Sequence, residues 1–263
     1  IVGGTINNYG TLNRTTSSGT ATIQVVFNNS GTVSVQSGTL QLTNSGTHTG
    51  FFDVAAGAAL SFTDGTQQLN AGSNVSGVGT VNFSSGSTIT IAGSYDLTGP
   101  TNIFGYGVAI NSDITTPSAI NLISGNLEGS GNFTMTGLFT WSGGTMRGNG
   151  ATTASGGISI AGTAGKELNR TLNNNGTCNY IGSSLSFYLS GIFNNQAGAI
   201  FNLPTDVTIS SIGGVFNNYG TFNRTTSSGT AILQVPFNNY GPSGTVNIQT
   251  GTLELANTGT HTG

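Results

Sequence analysis

The residues able to do chemistry are few and far apart. Eight acids (Asp53, Asp64, Asp96, Asp113, Glu128, Glu167, Asp206 and Glu254), two histidines and one cysteine are spread over 263 residues. Glycoside cleavage needs two carboxylates held about 5–10 Å apart, and a serine nucleophile needs a histidine base. On a coil of about 21 residues Asp53 and Asp96 share a phase, two coils apart, and the other acids read as solvated strand positions. His48 and His261 hold equivalent places in a repeated Gly-Thr-His-Thr-Gly, with no nitrogen or sulfur ligand nearby in sequence. They read as structural or surface residues rather than metal ligands. Cys178 takes the slot that Leu12, Val33 and Phe222 hold in related segments, which makes it a small buried hydrophobe and excludes an internal disulfide. The Asp-rich turns of calcium-binding β-rolls are absent. The expectation is a non-enzymatic chain without catalytic residues, cofactor or metal.

Two further groups carry an alternative. Trp141 reads as a core or corner residue before it reads as an exposed sugar platform, and Tyr9, Tyr219 and Tyr240 are candidate contacts to glycans or surfaces. Lys166, Glu167 and Arg170 form the one dense charged patch, beside a Leu/Phe-Asn-Arg-Thr string that recurs at Arg14 and Arg224. Surface ion pairing is the plain reading of that patch, and contact between neighbouring repeat units the sharper one. Sequons such as Asn13 and Asn132 are expected by chance in so Asn-, Ser- and Thr-rich a chain.

The elements that must position these groups are set by two nested repeats. Val2 to Asn29 returns as Ile212 to Asn239 with 21 of 28 positions identical, an offset of 210; Thr32 to Gly50 returns as Thr245 to Gly263, an offset of 213. Residues 1–210 thus read as one unit of about ten coils, and 211–263 as the start of the next, continuous with it. The expectation is a segment of a longer array. Inside the unit an apolar residue followed by two asparagines recurs at Ile6-Asn7-Asn8, Phe27-Asn28-Asn29, Leu172-Asn173-Asn174, Phe193-Asn194-Asn195, Phe216-Asn217-Asn218 and Phe237-Asn238-Asn239. Within each cluster the apolar leaders stand 21, 21, 23 and 21 residues apart, with weaker echoes at Leu69-Asn70 and Ile110-Asn111.

Such a period fits three short strands and three turns per coil, each coil hydrogen-bonded to the next at about 4.8 Å. Segments such as Thr32-Val33-Ser34-Val35 and Thr80-Val81-Asn82-Phe83 alternate apolar with polar residues after a Gly corner, the signature of strands with one buried face. Stacking puts the apolar leaders in an inward column. It also lets the asparagines form ladders of amide hydrogen bonds, with left-handed corners as a second task for Asn. The fold expected is all-β: a parallel β-helix of about 12 coils.

Composition agrees. Charged residues are 5% of the chain and the net charge is −3, while hydrophobic residues reach 35%, enough for an ordered core. Five Lys and Arg cannot track a phosphate backbone, so nucleic acid is excluded as a partner; no apolar run is long enough to span a membrane. Alternate Thr-x-Thr pairs such as Thr88/Thr90 are too sparse for a flat ice-binding array.

The Gly-Thr corners, Asn-Asn turns and alternating strands resemble those of repeat-rich bacterial surface proteins, the filamentous-haemagglutinin-like adhesins and autotransporter passengers. The resemblance covers the whole chain as a pattern. It implies a right-handed coil and an exported, cell-surface or secreted rod or filament. Its partners would be adjacent units of the same protein, end to end, with lateral bundling open to so uncharged a flank. The alternative is the stalk or glycan-binding region of a large adhesin.

Overall fold

A computed structural model describes residues 3–84, 86–183, 185–188 and 190–262. The described residues contain strands and turns and no helix. The fold is a parallel β-solenoid of about 12 turns, roughly 21 residues apart. The chain divides into two compact units, Ile1–Phe133 and Thr134–Gly263.

In the first unit one coil runs through strands Val26–Asn29, Thr32–Val35 and Thr39–Leu42, and the next through Gly46–His48, Phe51–Val54 and Ala59–Phe62. Pairing is parallel and in register, so each inward side chain lies on the one below. Val33 pairs with Phe52, Phe52 with Val75 and Val75 with Tyr95; Leu40 pairs with Leu60 and Leu60 with Val81. Burial alternates along these strands, as period-two patterning requires, and Val33, Phe52, Val75, Leu60 and Val81 are wholly buried. Each such side chain contributes about 1.5–3 kcal/mol of apolar burial.

In the second unit the core is aromatic. Phe193 stacks on Phe216 at 4.8 Å between ring centroids, and Phe201 on Phe222 at 5.1 Å. The two columns meet edge to face, Phe193 against Phe201 at 5.4 Å. The parallel offset runs along each column and the perpendicular contact across it, both favourable for ring quadrupoles. The sequence repeat that restarts near Ile212 lies inside this unit, where Ile192–Asn195 pairs in register with Val215–Asn218.

Three corner glycines have a steric cause. A Cβ on Gly31 would lie 2.1 Å from Gly10 O, one on Gly50 2.1 Å from Gly31 O, and in the second unit one on Gly220 2.3 Å from Ala199 O. At these corners the coil rests directly on the backbone of its neighbour. Asparagine takes no part in left-handed corners: among the described residues every positive φ belongs to glycine. The second task expected of Asn is therefore absent, because glycine supplies those conformations without the Cβ penalty.

Candidate functional site

The asparagine pairs form two ladders on opposite sides of one strand, since successive residues point to opposite faces. The second Asn of each pair faces inward. In the second unit Asn174 Nδ2 donates to Asn195 Oδ1 at 2.9 Å, Asn195 to Asn218 at 2.7 Å and Asn218 to Asn239 at 2.7 Å. The remaining N–H of each donates to a carbonyl one coil on, at the start of the strand after its partner's: Ile200, Thr221 and Thr245 respectively. All four side chains are buried. In the first unit Asn8 donates to Asn29 at 2.8 Å and to Thr32 O.

The first Asn of each pair faces outward and runs the other way. Asn28 donates back to Asn7 at 2.9 Å; Asn194 donates back to Asn173, Asn217 to Asn194 and Asn238 to Asn217, at 2.8–2.9 Å. Inner amides thus point up the chain and outer amides down it, so their dipoles along the stack oppose one another.

Sequence reasoning missed a further set. Asn102 donates to Asn82 and Asn121 to Asn102, both at 2.9 Å, in the first unit. In the second unit Asn202 donates to Asn179, Asn223 to Asn202 and Asn247 to Asn223 at 2.9–3.1 Å. These are outward ladders with the same downward polarity. The signal was present as single Asn residues between two inward side chains, as in Val81-Asn82-Phe83 and Phe222-Asn223-Arg224, recurring near the coil period.

The inner ladder of the first unit stops at His48, which pairs with Asn29 below and Leu69 above. Leu69 then pairs with Ile91, and Ile91 with Ile110. The echoes at Leu69-Asn70 and Ile110-Asn111 are therefore two residues out of register: their apolar residues fill the inner Asn position, and not that of Phe27. His48 is wholly buried, its Nε2 2.8 Å from Gln67 Oε1. Gln67 Nε2 donates to Asn44 O, which turns its carbonyl oxygen toward the imidazole and fixes the proton on His48 Nε2. His48 Nδ1 finds no hydrogen-bond partner among the described residues, and Phe27, Phe52 and Phe62 surround the ring. Burial pulls the imidazole below its usual 6.5, opposed in part by the bond to Gln67. In the second unit His261 bridges to Asn239 in the equivalent place, exposed to solvent.

The charged patch is not a surface patch. Lys166 and Arg170 are each 1% exposed, on the inward side of strand Lys166–Asn174, because they alternate with Leu168 and Leu172. Lys166 Nζ donates to the carbonyls of Ala164 at 2.9 Å and Gly162 at 3.3 Å, and Arg170 Nη1 to Arg147 O at 3.3 Å. Burial lowers both, Arg170 to about 10. Glu167 points out, accepting from Tyr188 and Thr145 at 3.2 Å each. Arg224 is wholly buried as well, donating to the carbonyls of Leu203, Gly229 and Thr252 and ion-paired with Asp206, which Ser227 also holds. These inward cations donate to main-chain carbonyls of the corners, as at Gly162, Ala164 and Gly229, and of the strands, as at Arg147, Leu203 and Thr252.

Cys178 is buried between Ile158 and Phe201, and desolvation pushes its thiol well above the ordinary value. Trp141 is buried too, its Nε1 on Gly144 O, so it offers no sugar platform. Tyr9 is 80% exposed in the first unit; in the second, Tyr219 and Tyr240 are half-buried and stacked on each other at 4.8 Å. Asp53 and Asp96 do share a row, with Ser76 between them, exposed on the outer face of the first unit. Asp113 accepts the Asn132 N–H at 2.9 Å. No helix among the described residues is long and apolar enough to cross a membrane, and they hold no cluster of three or more His, Cys, Asp or Glu suited to a metal. No protein-family model, curated protein or solved structure matches the chain.

Proposed function

We propose that the chain is a structural, non-catalytic protein: a segment of a stiff rod or filament at a bacterial cell surface or outside the cell, built from tandem solenoid units. The inner ladder from Asn174 to Asn239 is the observation that carries this reading, because each amide is completed only by the next coil. Strand pairing follows the same rule, so every coil is the template for its neighbour and a bare coil edge accepts another of the same kind. The partners are then adjacent units of the same protein, joined within one polypeptide or stacked end to end. The low charge of the flanks favours lateral bundling, since little repels neighbours.

Electron microscopy of the native material tests this. Long fibres with an axial repeat of about 48 Å, ten coils at about 4.8 Å, are expected. Discrete, well-separated monomers would overturn it.

One observation favours a second reading, the surface-binding stalk of an adhesin: the half-exposed stack of Tyr219 on Tyr240. If that stack holds a surface or a glycan, removing both rings lowers adhesion and leaves fibre length unchanged.

A further inference from the structure

Strand Phe51–Val54 and the two strands that follow it on the same face of the first unit, Asn74–Gly77 and Ser94–Leu97, border a groove of about 460 Å³. Phe51 stands at one end of it, 53% exposed although it sits on a well-paired strand. The positions in register with it shrink and become polar, Asn74 and then Ser94. An aromatic face therefore rises beside a shallow polar shelf. Asp96 and Asp113 close the far end, both exposed, and Asp113 gives one oxygen to the Asn132 N–H. The floor contains Ser73, 2% exposed, whose Oγ has no hydrogen-bond partner among the described residues, and the Asn74 Oδ1 is likewise buried without one among them. Gly93 lets the floor pack closely on the coil before it: a Cβ there would lie 2.2 Å from Ser73 Oγ and 2.4 Å from Ser73 O.

We propose that this groove binds a neutral or amino-sugar oligosaccharide, Phe51 stacking on a pyranose face while Asn74, Ser94, Asp96 and Asp113 bond its hydroxyls. Sugars present apolar C–H faces beside rings of hydroxyl donors, and an exposed aromatic next to carboxylate and amide acceptors matches both. From Phe51 to the level of Asp113 is three coil steps, about 14 Å, room for a short chain of linked rings. The acids repel uronate-rich polymers and nucleic acid, because no Lys or Arg lines the groove among the described residues. A peptide is a poorer fit, since the main chain of the floor is already engaged: Ser94 N on Ser73 O, Ser73 N on Asn70 O and Asn74 N on Gly50 O. That leaves no strand edge to add to.

The test is titration of the full chain with short oligomers of glucose and of N-acetylglucosamine, with oligogalacturonate and a lysine-rich peptide as comparisons. At least one neutral oligomer binds, with a dissociation constant of about 10 μM to 1 mM. Phe51→Ala weakens it about tenfold or more, and Asp96→Asn combined with Asp113→Asn weakens it too. Phe104→Ala, at another exposed Phe of the same unit but outside the groove, leaves it unchanged. A thermal melt of Phe51→Ala matching the parent shows that folding is intact. No binding by either neutral oligomer, binding insensitive to Phe51→Ala, or binding of the peptide alone would overturn the proposal. Fibre formation is scored separately by microscopy, so failure here leaves the filament reading standing, and the reverse holds.

Discussion

Asn195 Nδ2 donates to Asn218 Oδ1 at 2.7 Å inside the coil, between two side chains that water does not reach. One residue earlier on each strand, Asn217 donates back to Asn194 at 2.9 Å on the outside, where water can replace either partner. The two bonds have the same chemistry and different alternatives, which decides their worth. Asn195→Ala strips Asn218 Oδ1 and Thr221 O of donors and Asn174 of an acceptor, all in the interior. We expect a loss of about 2–4 kcal/mol, from unsatisfied buried groups. Asn194→Ala should cost only about 0.5 kcal/mol, the scale of surface changes. Urea midpoints followed by circular dichroism measure both, and equal losses would refute the distinction.

The stack above His48 shows that asparagine is not required for the coil to close. Leu69, Ile91 and Ile110 continue the same inner column in the first unit without a polar atom. An inner ladder therefore specifies register more than it adds stability, because a slipped coil would strand every amide at once. Replacing Asn174, Asn195, Asn218 and Asn239 together by Leu strands no amide and strips only the carbonyls of Ile200, Thr221, Thr245 and Gly244, so it should cost less than the four separate Ala changes summed, while loosening the register. Hydrogen exchange reports it as faster opening on strands Ile192–Asn195 and Val215–Asn218. Unchanged protection there would count against a register-setting role.

His48 makes the first unit acid-sensitive. Its folded value lies below the unfolded 6.5, because burial among Phe27, Phe52 and Phe62 disfavours the imidazolium. The unfolded chain then binds the extra proton first, so stability is complete above about pH 6.5 and falls as pH drops from there toward the folded value. The His48→Asn chain, which puts an amide where the ladder stops, should lose this slope. Urea midpoints at about pH 7.5 and about pH 5 give the comparison. A slope of the same size in the variant would assign the effect to the carboxylates instead.

Period and alternation made the coil legible from sequence, since a parallel stack repeats its inward and outward residues at a fixed spacing. They also showed where amides would stack, at Asn8 and Asn29 or Asn195 and Asn218. Direction was not legible, because Asn7 and Asn8 read alike until the strand's faces are known. The same blindness hid the inward turn of Lys166 and Arg170. Charge argues for the surface, and only their alternation with Leu168 and Leu172 argues otherwise. The groove beside Phe51 was hidden for another reason: it joins residues from successive coils that no local motif links.

Cys178 reports on opening of the second unit. Its thiol is fully buried and held protonated by desolvation, and attack requires an accessible thiolate. An aromatic disulfide reagent should leave it unmodified in the native chain and label it at a rate that climbs with urea in step with unfolding. Cys178→Val should shift the midpoint by no more than about 1 kcal/mol, as a volume-conserving change. Rapid native labelling would mean that the coil around Ile158 and Phe201 opens far more readily than its packing implies.

Arg224 gives the sharpest test of the buried cations. Its guanidinium serves the carbonyls of Leu203, Gly229 and Thr252 as well as Asp206, a load only a planar group with several donors can carry. Arg224→Ala removes a buried side chain and its bonds to the carbonyls of Leu203, Gly229 and Thr252, and should cost about 2–3 kcal/mol. Arg224→Lys keeps the charge but cannot span the same carbonyls, so it should recover only part of the loss. Arg14, its counterpart in the sequence repeat, donates to Ser17 O and Gly19 O near solvent, and Arg14→Ala should cost clearly less. If Arg224→Lys instead matched the parent in urea, charge alone would hold this corner, and the geometric account of the inward arginines would fall.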